Sequence, residues 1–302
     1  MRRLLAGCAA AILTAFGLTG CSSSSQYLVI GAFNFGESQI LSQIYEISLE
    51  NAGVPATIKD LTTREVLVQA MRKGQVELVP EYLGTFTEYL NAQQNGPDAA
   101  PIASSSTAKT YKGVQPLAAN WGLAVLQPSP AENKNAYATT EKFANANNLT
   151  TLEELGTYSQ NNPVQLGGPP ECQTRPACMP GLEKVYGIKF AGFTALDAGG
   201  PLTVQALLQN KIQLGVVFTS SGVLATNNLV ILKDTKGLSN ADNITPVMNA
   251  DSVNPTVQKT LDAVSAKLTT ADLQQMNADV EINRQDPRVV AENWLKSQGL
   301  IQ

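Results

Sequence analysis

The chain contains no histidine, which removes the Ser-His-Asp and Cys-His triads and most zinc sites from consideration. The chemistry left to it rests on carboxylates, lysine, aromatic rings and guanidinium groups. Glu37 and Glu81 are the carboxylates a hydrolase could use, and in that reading Glu37→Gln or Glu81→Gln abolishes turnover. Glu81 has a simpler role open to it, since acidic charge at a helix start is stabilised by the helix dipole. The segment Val79-Pro80-Glu81-Tyr82-Leu83-Gly84-Thr85 follows a strand end and opens a helix. Such a turn gathers backbone N–H groups, a hydroxyl and a ring face at one mouth, which suits a small-molecule pocket.

Four cysteines occur. Cys8 and Cys21 belong to the amino-terminal leader region. Cys172 and Cys178 bracket Arg175, and in an exported chain so close a pair is expected to form a disulfide. Closing that short loop stabilises by about 2 kcal/mol in the chain-entropy picture, and it fixes the direction of Arg175. A metal site on these two thiols is the weaker alternative, because no further thiol or imidazole is at hand. Arg175 itself either binds a ligand or pairs with Glu171 or Glu183 on a solvated surface, an arrangement worth little.

The opening of the chain sets the compartment. Arg2 and Arg3 precede a short, almost wholly apolar stretch, and Leu18-Thr19-Gly20-Cys21 with the serines behind it resembles the lipobox of bacterial lipoproteins. Residues 1–20 are therefore expected to be a signal peptide, 21–26 a tether, and Cys21 the lipid acceptor. The processed protein is placed on the extracytoplasmic face of the cell membrane. Removing Arg2 and Arg3 lowers the 21 basic residues to 19 against 25 acidic ones, a net charge of −6. An acidic surface with no basic run argues against nucleic acid as a partner. With 302 residues, 43% of them hydrophobic, the chain can build one large or two modest cores.

The elements that must position these residues read as strands alternating with helices, hence an α/β fold with a largely parallel sheet. Strands are expected at 27–31, 56–59, 76–79, 123–126, 164–167 and 214–218. Helices are expected from a cap at Ser38, at 64–73, 141–147, 182–186 and 202–209. Three more follow near the end, at 257–268, 273–279 and 289–298, with Pro255, Thr270 and Pro287 at their starts. The stretch 94–107, rich in Pro, Ala and Ser, reads as an exposed loop.

Five segments, in order, resemble the extracytoplasmic substrate-binding proteins of ABC importers for glycine betaine, choline, carnitine and related osmoprotectants. Ile30-Gly31 with Asn34-Phe35, Glu37 and Ile40-Leu41 resembles the opening G-S-K-N-F-T-E-x-x-I-L. Residues 77–85 resemble D-x-Y-P-E-Y-T-G-T, and Asn120-Trp121-Gly122-Leu123-Ala124-Val125 is similar to N-T-Y-A-L-A-V. Arg175, Pro180-Gly181-Leu182, Lys184 and Tyr186-Gly187 resemble R-x-D-G-x-P-G-L-x-K-x-Y-G. Ala206-Leu207, Lys211-Ile212 and 216–222 track the segment ending Y-S-T-D-G.

The resemblance implies a two-lobed, type II periplasmic-binding-protein-like fold with two hinge crossings and the ligand in a cleft between the lobes. It places one lobe at 27–121 plus 220–302 and the other at 122–219, with crossings near 123–125 and 216–219. It implies an aromatic cage for a quaternary ammonium, with Tyr82, Trp121 and Phe218 as ring faces; a methylated cation donates no N–H bond, so ring faces hold it instead. Thr85 and Arg175 fall at the carboxylate end, and Asn34 lies beside them in the opening motif. Phe33 stands where the family has a lysine, Val204 where it has a cage tyrosine, and Ser221 where it has an acid. These departures make the pocket more apolar, so a bulkier or less charged ligand is the alternative to betaine. Trp121, Phe33 and Phe218 each have a packing role as their plainer reading. The implied partners are a membrane permease and a small solute; the implied protein is a lipid-anchored monomer that needs no cofactor and catalyses nothing. A surface lipoprotein that binds another protein is the remaining alternative, marked by a large exposed apolar patch.

Overall fold

A computed structural model describes residues 27–302 except Thr62, Pro176 and Ala198. The expected signal peptide, tether and lipid acceptor Cys21 lie outside the described residues. The chain runs β1 (Leu28–Phe33), α1 (Gly36–Asn51), β2 (Ala56–Leu61), α2 (Arg64–Arg72), β3 (Leu78–Tyr82), α3 (Leu83–Asn95), α4 (Thr107–Ala119) and β4 (Leu123–Val125). It continues through β5 (Asn135–Thr140), α5 (Glu141–Asn147), α6 (Leu152–Ser159), β6 (Val164–Gly168), α7 (Met179–Tyr186), β7 (Phe190–Ala195), α8 (Pro201–Leu208), β8 (Leu214–Phe218), α9 (Val223–Thr226) and β9 (Leu229–Ile231). It ends with β10 (Ile244–Asn249), α10 (Pro255–Lys267), α11 (Thr270–Asn277) and α12 (Pro287–Ser297).

Two five-stranded sheets result, ordered β2-β1-β3-β10-β4 and β7-β6-β8-β5-β9. Within each, three neighbouring strands pair in parallel, and one strand (β10 in the first, β5 in the second) runs against its neighbours on both sides, so that four of the five strands share a direction. The expected α/β architecture with two lobes is therefore present, with mixed rather than largely parallel sheets. The returning strands follow the crossings, which deliver the chain to the edge where the parallel strands end. Helix α1 packs on the first sheet with Ile40, Leu41, Ile44 and Leu49 inward, and α10 and α12 close that core with Leu261, Val264, Trp294 and Leu295. The opposite face of the same sheet is covered by α2, α3 and α4. The second sheet has its own core around Tyr137, Leu152, Leu166, Leu182 and Leu214.

The crossings are not where the motifs put them. β4 pairs with β10 inside the first sheet, so 123–125 is strand interior and the first lobe extends past residue 121. Residues 216–218 are likewise the end of β8 in the second sheet, and β9 joins that sheet through β5, so the second lobe extends past residue 219. The chain crosses between β4 and β5 at 126–134 and between β9 and β10 at 232–243. Both stretches carry Pro or Gly, and they run side by side: Glu132 and Asn243 form an antiparallel bridge, with the Asn133 N–H donating to the Asp242 carbonyl at 3.0 Å. Ser38 also differs from expectation. Phe35 occupies the cap position of α1, and the Ser38 hydroxyl sits one turn inside, accepting from the Phe33 N–H at 2.9 Å.

Candidate functional site

The parallel strands of both sheets end at the edges joined by the crossings. On the first sheet, Phe33 ends β1 and Tyr82 ends β3. Phe35, in the turn to α1, stacks on Phe33 with ring centroids 5.9 Å apart and planes 7° from parallel. Its centroid lies 6.3 Å from that of Tyr82. Phe35 is 44% exposed, whereas Phe33 and Tyr82 are buried, so the row presents Phe35 as its open face. Asn34 is exposed in the same turn.

Beneath the rings lies a polar layer. Arg64, the first residue of α2, donates from Nε and Nη2 to the two oxygens of Glu81, each at 2.9 Å, and from Nη2 to the Thr85 hydroxyl at 3.2 Å. Its guanidinium carbon also lies 5.9 Å from the centre of the Phe33 ring. Burial opposes the Arg64 charge, but the Glu81 carboxylate outweighs it and raises the guanidinium pKa. Asp242, in the second crossing, accepts from the Thr85 N–H at 2.9 Å at the start of α3. Burial pushes its carboxyl up to about 7, against the opposing pull of that N–H and of Arg64. The Tyr82 hydroxyl donates to Glu37 Oε1 at 2.8 Å. Burial first, and the Glu37 charge second, raise the Tyr82 pKa well above its ordinary value.

On the second sheet, Phe218 ends β8 and is 39% exposed. Arg175 lies in the loop beyond the carboxyl end of the neighbouring strand β6. Its side chain is 51% exposed and pairs with Glu171 at 3.7 Å. The loop is held by the Cys172–Cys178 disulfide and by the Tyr137 hydroxyl donating to the Ala177 carbonyl at 2.8 Å. The thiols are thus joined to each other, which leaves no metal site on them. The amino terminus of α8 at this edge is filled by Asp197, which accepts from the Leu202 and Thr203 N–H groups.

The structure gathers Phe33, Tyr82 and Thr85 at one edge and puts Phe218 and Arg175 at the matching edge of the other sheet. Two expected site residues stand elsewhere. Trp121 precedes β4, where Leu123 pairs with Asn249, whereas Tyr82 pairs with Ile244 at the other end of β10. Five residues of strand separate the two levels, about 17 Å. The indole lies over the Arg72 guanidinium at 4.5 Å and edge-on to Tyr89, so its aromatic face serves packing. Val204 is also a packing residue, buried on α8 among Leu207, Ile212 and Leu229.

Glu37 and Glu81 make a poor acid–base pair. Glu81 is 1% exposed and locked to Arg64, and the Glu37 oxygens already accept from Tyr82, Asn133 and Asn277. Arg64 and Asp242, which lie outside the motifs, and Phe35, which stands in the opening motif without an assigned role, join the candidate site. Arg64 had a signal, since a cation at a helix amino terminus opposes the dipole and calls for a nearby anion. Phe35 had one too, as an aromatic in a turn between strand and helix. Asp242 had none, because its partner Thr85 is 157 positions away.

The chain and its fold are similar to known proteins. Residues 26–297 match the family described as the substrate binding domain of the ABC-type glycine betaine transport system. The glycine-betaine-binding protein of Pseudomonas aeruginosa is 28% identical over 100% of this chain and 95% of its own length. The glycine betaine-binding protein YehZ of Escherichia coli is also 28% identical, over 87% of this chain and 88% of its own. The solved structure of apo YehZ from that organism superposes with a TM-score of 0.79 at 26% identity, covering 91% of this chain and 99% of that one.

Proposed function

The chain belongs to the family of substrate-binding domains of ABC-type glycine betaine transport systems, and from that premise we propose that it captures a small quaternary ammonium solute, glycine betaine foremost, between its lobes. Members of this family are the extracytoplasmic binding components of importers and are not enzymes. The observation that carries the reading is the ring row Phe33–Phe35–Tyr82 at the edge of the first sheet, with Phe218 and Arg175 at the corresponding edge of the second. A trimethylammonium group placed against Phe35 and Tyr82 gains about 0.5–2 kcal/mol from a ring face, and Phe218 closes over it from the second lobe. The Thr85 hydroxyl, steadied by Arg64, and the Arg175 guanidinium receive the carboxylate.

Closure is a rotation about the crossings 126–134 and 232–243. The closed form is what a membrane permease would recognise, with the chain held at the outer membrane face by a lipid on Cys21. Calorimetric titration of the processed chain with glycine betaine, choline, carnitine and proline betaine tests the reading. Binding that is lost in Tyr82→Ala and weakened in Arg175→Ala is the expected result. Silence across the whole panel would sink it.

A further inference from the structure

We infer that Glu37 is a positioning residue that ties the Tyr82 wall of the cleft to the first crossing and to the second lobe. Glu37 stands in the first turn of α1 and is buried. Among the described residues it has no ion-pair partner, and its carboxylate is held entirely by neutral donors. Oε1 accepts from the Tyr82 hydroxyl at 2.8 Å and from Asn133 Nδ2 at 2.7 Å. Oε2 accepts from Asn277 Nδ2 at 2.6 Å, and the same Asn277 nitrogen donates to the Ser220 carbonyl at 2.8 Å.

Those partners come from four different places. Tyr82 ends β3 in the first sheet; Asn133 lies in the first crossing; Asn277 ends α11; Ser220 follows β8 of the second sheet. One carboxylate therefore holds a ring of the cleft wall and a crossing segment directly, and the loop between β8 and α9 of the second lobe through one asparagine. Rotation of the lobes has to displace Asn133 or Ser220 relative to α1. Either displacement is felt at the carboxylate that fixes the Tyr82 hydroxyl, which gives a contiguous physical route from lobe angle to ring position.

A carboxylate suits this place because it only accepts hydrogen bonds. A glutamine of the same shape would turn an N–H₂ toward one of three donors, so at least one contact must break. Charge-assisted bonds are also about twice as strong as neutral ones, which makes the tie firm enough to matter.

The inference rests on the cleft reading for its ligand consequence, yet it is tested without ligand as well. Small-angle scattering of the ligand-free processed chain should show a larger radius of gyration and a wider spread of lobe separations in Glu37→Gln. Asn133→Ala, which cuts a single arm at a half-buried position, should shift the profile in the same direction and guards against a Glu37 variant that does not fold. With glycine betaine as probe, Glu37→Gln should weaken binding roughly tenfold, the scale of one charged hydrogen bond. In a Tyr82→Phe background, which has no hydroxyl for Glu37 to hold, that loss should shrink to within about twofold. A residue that only supported the fold would lower the melting temperature, leave the scattering profile alone and give an additive cycle; that result would overturn the inference. Should the unaltered chain ignore betaine while the variants still change the ligand-free profile, the transport reading fails and the Glu37 tie stands.

Discussion

The Arg64 guanidinium meets the Glu81 carboxylate edge to edge, with Nε and Nη2 each 2.9 Å from a different oxygen. Arg64 starts α2 and Glu81 precedes the last residue of β3, so this pair pins a helix start to the carboxyl end of the central parallel strand. The same guanidinium also donates to the Thr85 hydroxyl, at 3.2 Å.

Breaking that pair from one side should be costly. Arg64→Met leaves the Glu81 charge 1% exposed with no opposite charge beside it, a loss of about 3–5 kcal/mol. The double variant Arg64→Met with Glu81→Leu should recover much of that stability, because no lone buried charge remains. Urea denaturation of the single and double variants measures both. Equal stabilities for Arg64→Met and the parent chain would contradict the buried-pair account.

Asp242 gives the protein a pH dependence of definite sign. Its folded pKa of about 7 lies above the ordinary value of 3.8, so between those limits the folded chain binds the proton that the unfolded chain releases. The stabilisation is complete below about pH 4 and is lost as pH rises through about 7. Unfolding free energies measured from pH 4 to 8 should therefore differ in slope between the parent and Asp242→Asn, with the downward component absent from the variant. Parallel curves for the two chains would show that Asp242 titrates normally.

Sequence and structure agree on the elements that have a strong local signature. β1 and β8 are apolar runs bounded by polar residues, and β3 and β6 are readable from Leu78-Val79 and from the alternating Val164 and Leu166. β5, with the sequence NAYATT, has small residues in place of an apolar run, and β9 has three residues; neither gives a period long enough to detect. α4 carries Pro116 inside it, which reads as a helix stop although the proline falls near its carboxyl end. In the site, Tyr82, Thr85 and Phe33 were legible because they lie on short continuous motifs. The polar layer was not, since Arg64, Glu81, Thr85 and Asp242 meet only after distant segments fold together. The crossings were misread for a related reason. The observed crossings meet through an isolated bridge between Glu132 and Asn243, which short polar segments do not announce, whereas 123–125 and 216–218 show the apolar runs of strands.

Trp121 provides a direct check on that correction. Its ring lies at the far end of the first sheet against Arg72 and Tyr89, so Trp121→Phe should leave solute affinity within about twofold. The cation–π contact at a part-exposed site is worth about 0.5–1 kcal/mol, and stability should fall by roughly that amount. The same geometry predicts a weak tryptophan fluorescence response to ligand, since Trp294 is buried in the core under α12. A tenfold loss of affinity in Trp121→Phe would return the indole to the cleft wall.

The disulfide should separate solutes by their charge. Cys172 and Cys178 are six positions apart, and removing the bridge with Cys172→Ala and Cys178→Ala costs about 2 kcal/mol in the chain-entropy picture. The same change frees the loop that carries Arg175, whose side chain is already half exposed and pairs with Glu171 at the surface. Glycine betaine carries a carboxylate for Arg175 to receive, whereas choline has a hydroxyl in its place. Loss of the bridge should therefore weaken betaine several-fold more than choline, with the ring contacts to the trimethylammonium group common to both. Calorimetric titration of the two solutes against the parent and the double alanine variant makes the comparison. An equal loss for both would mean that the loop contributes to the fold of the second lobe and that Arg175 does not read the carboxylate.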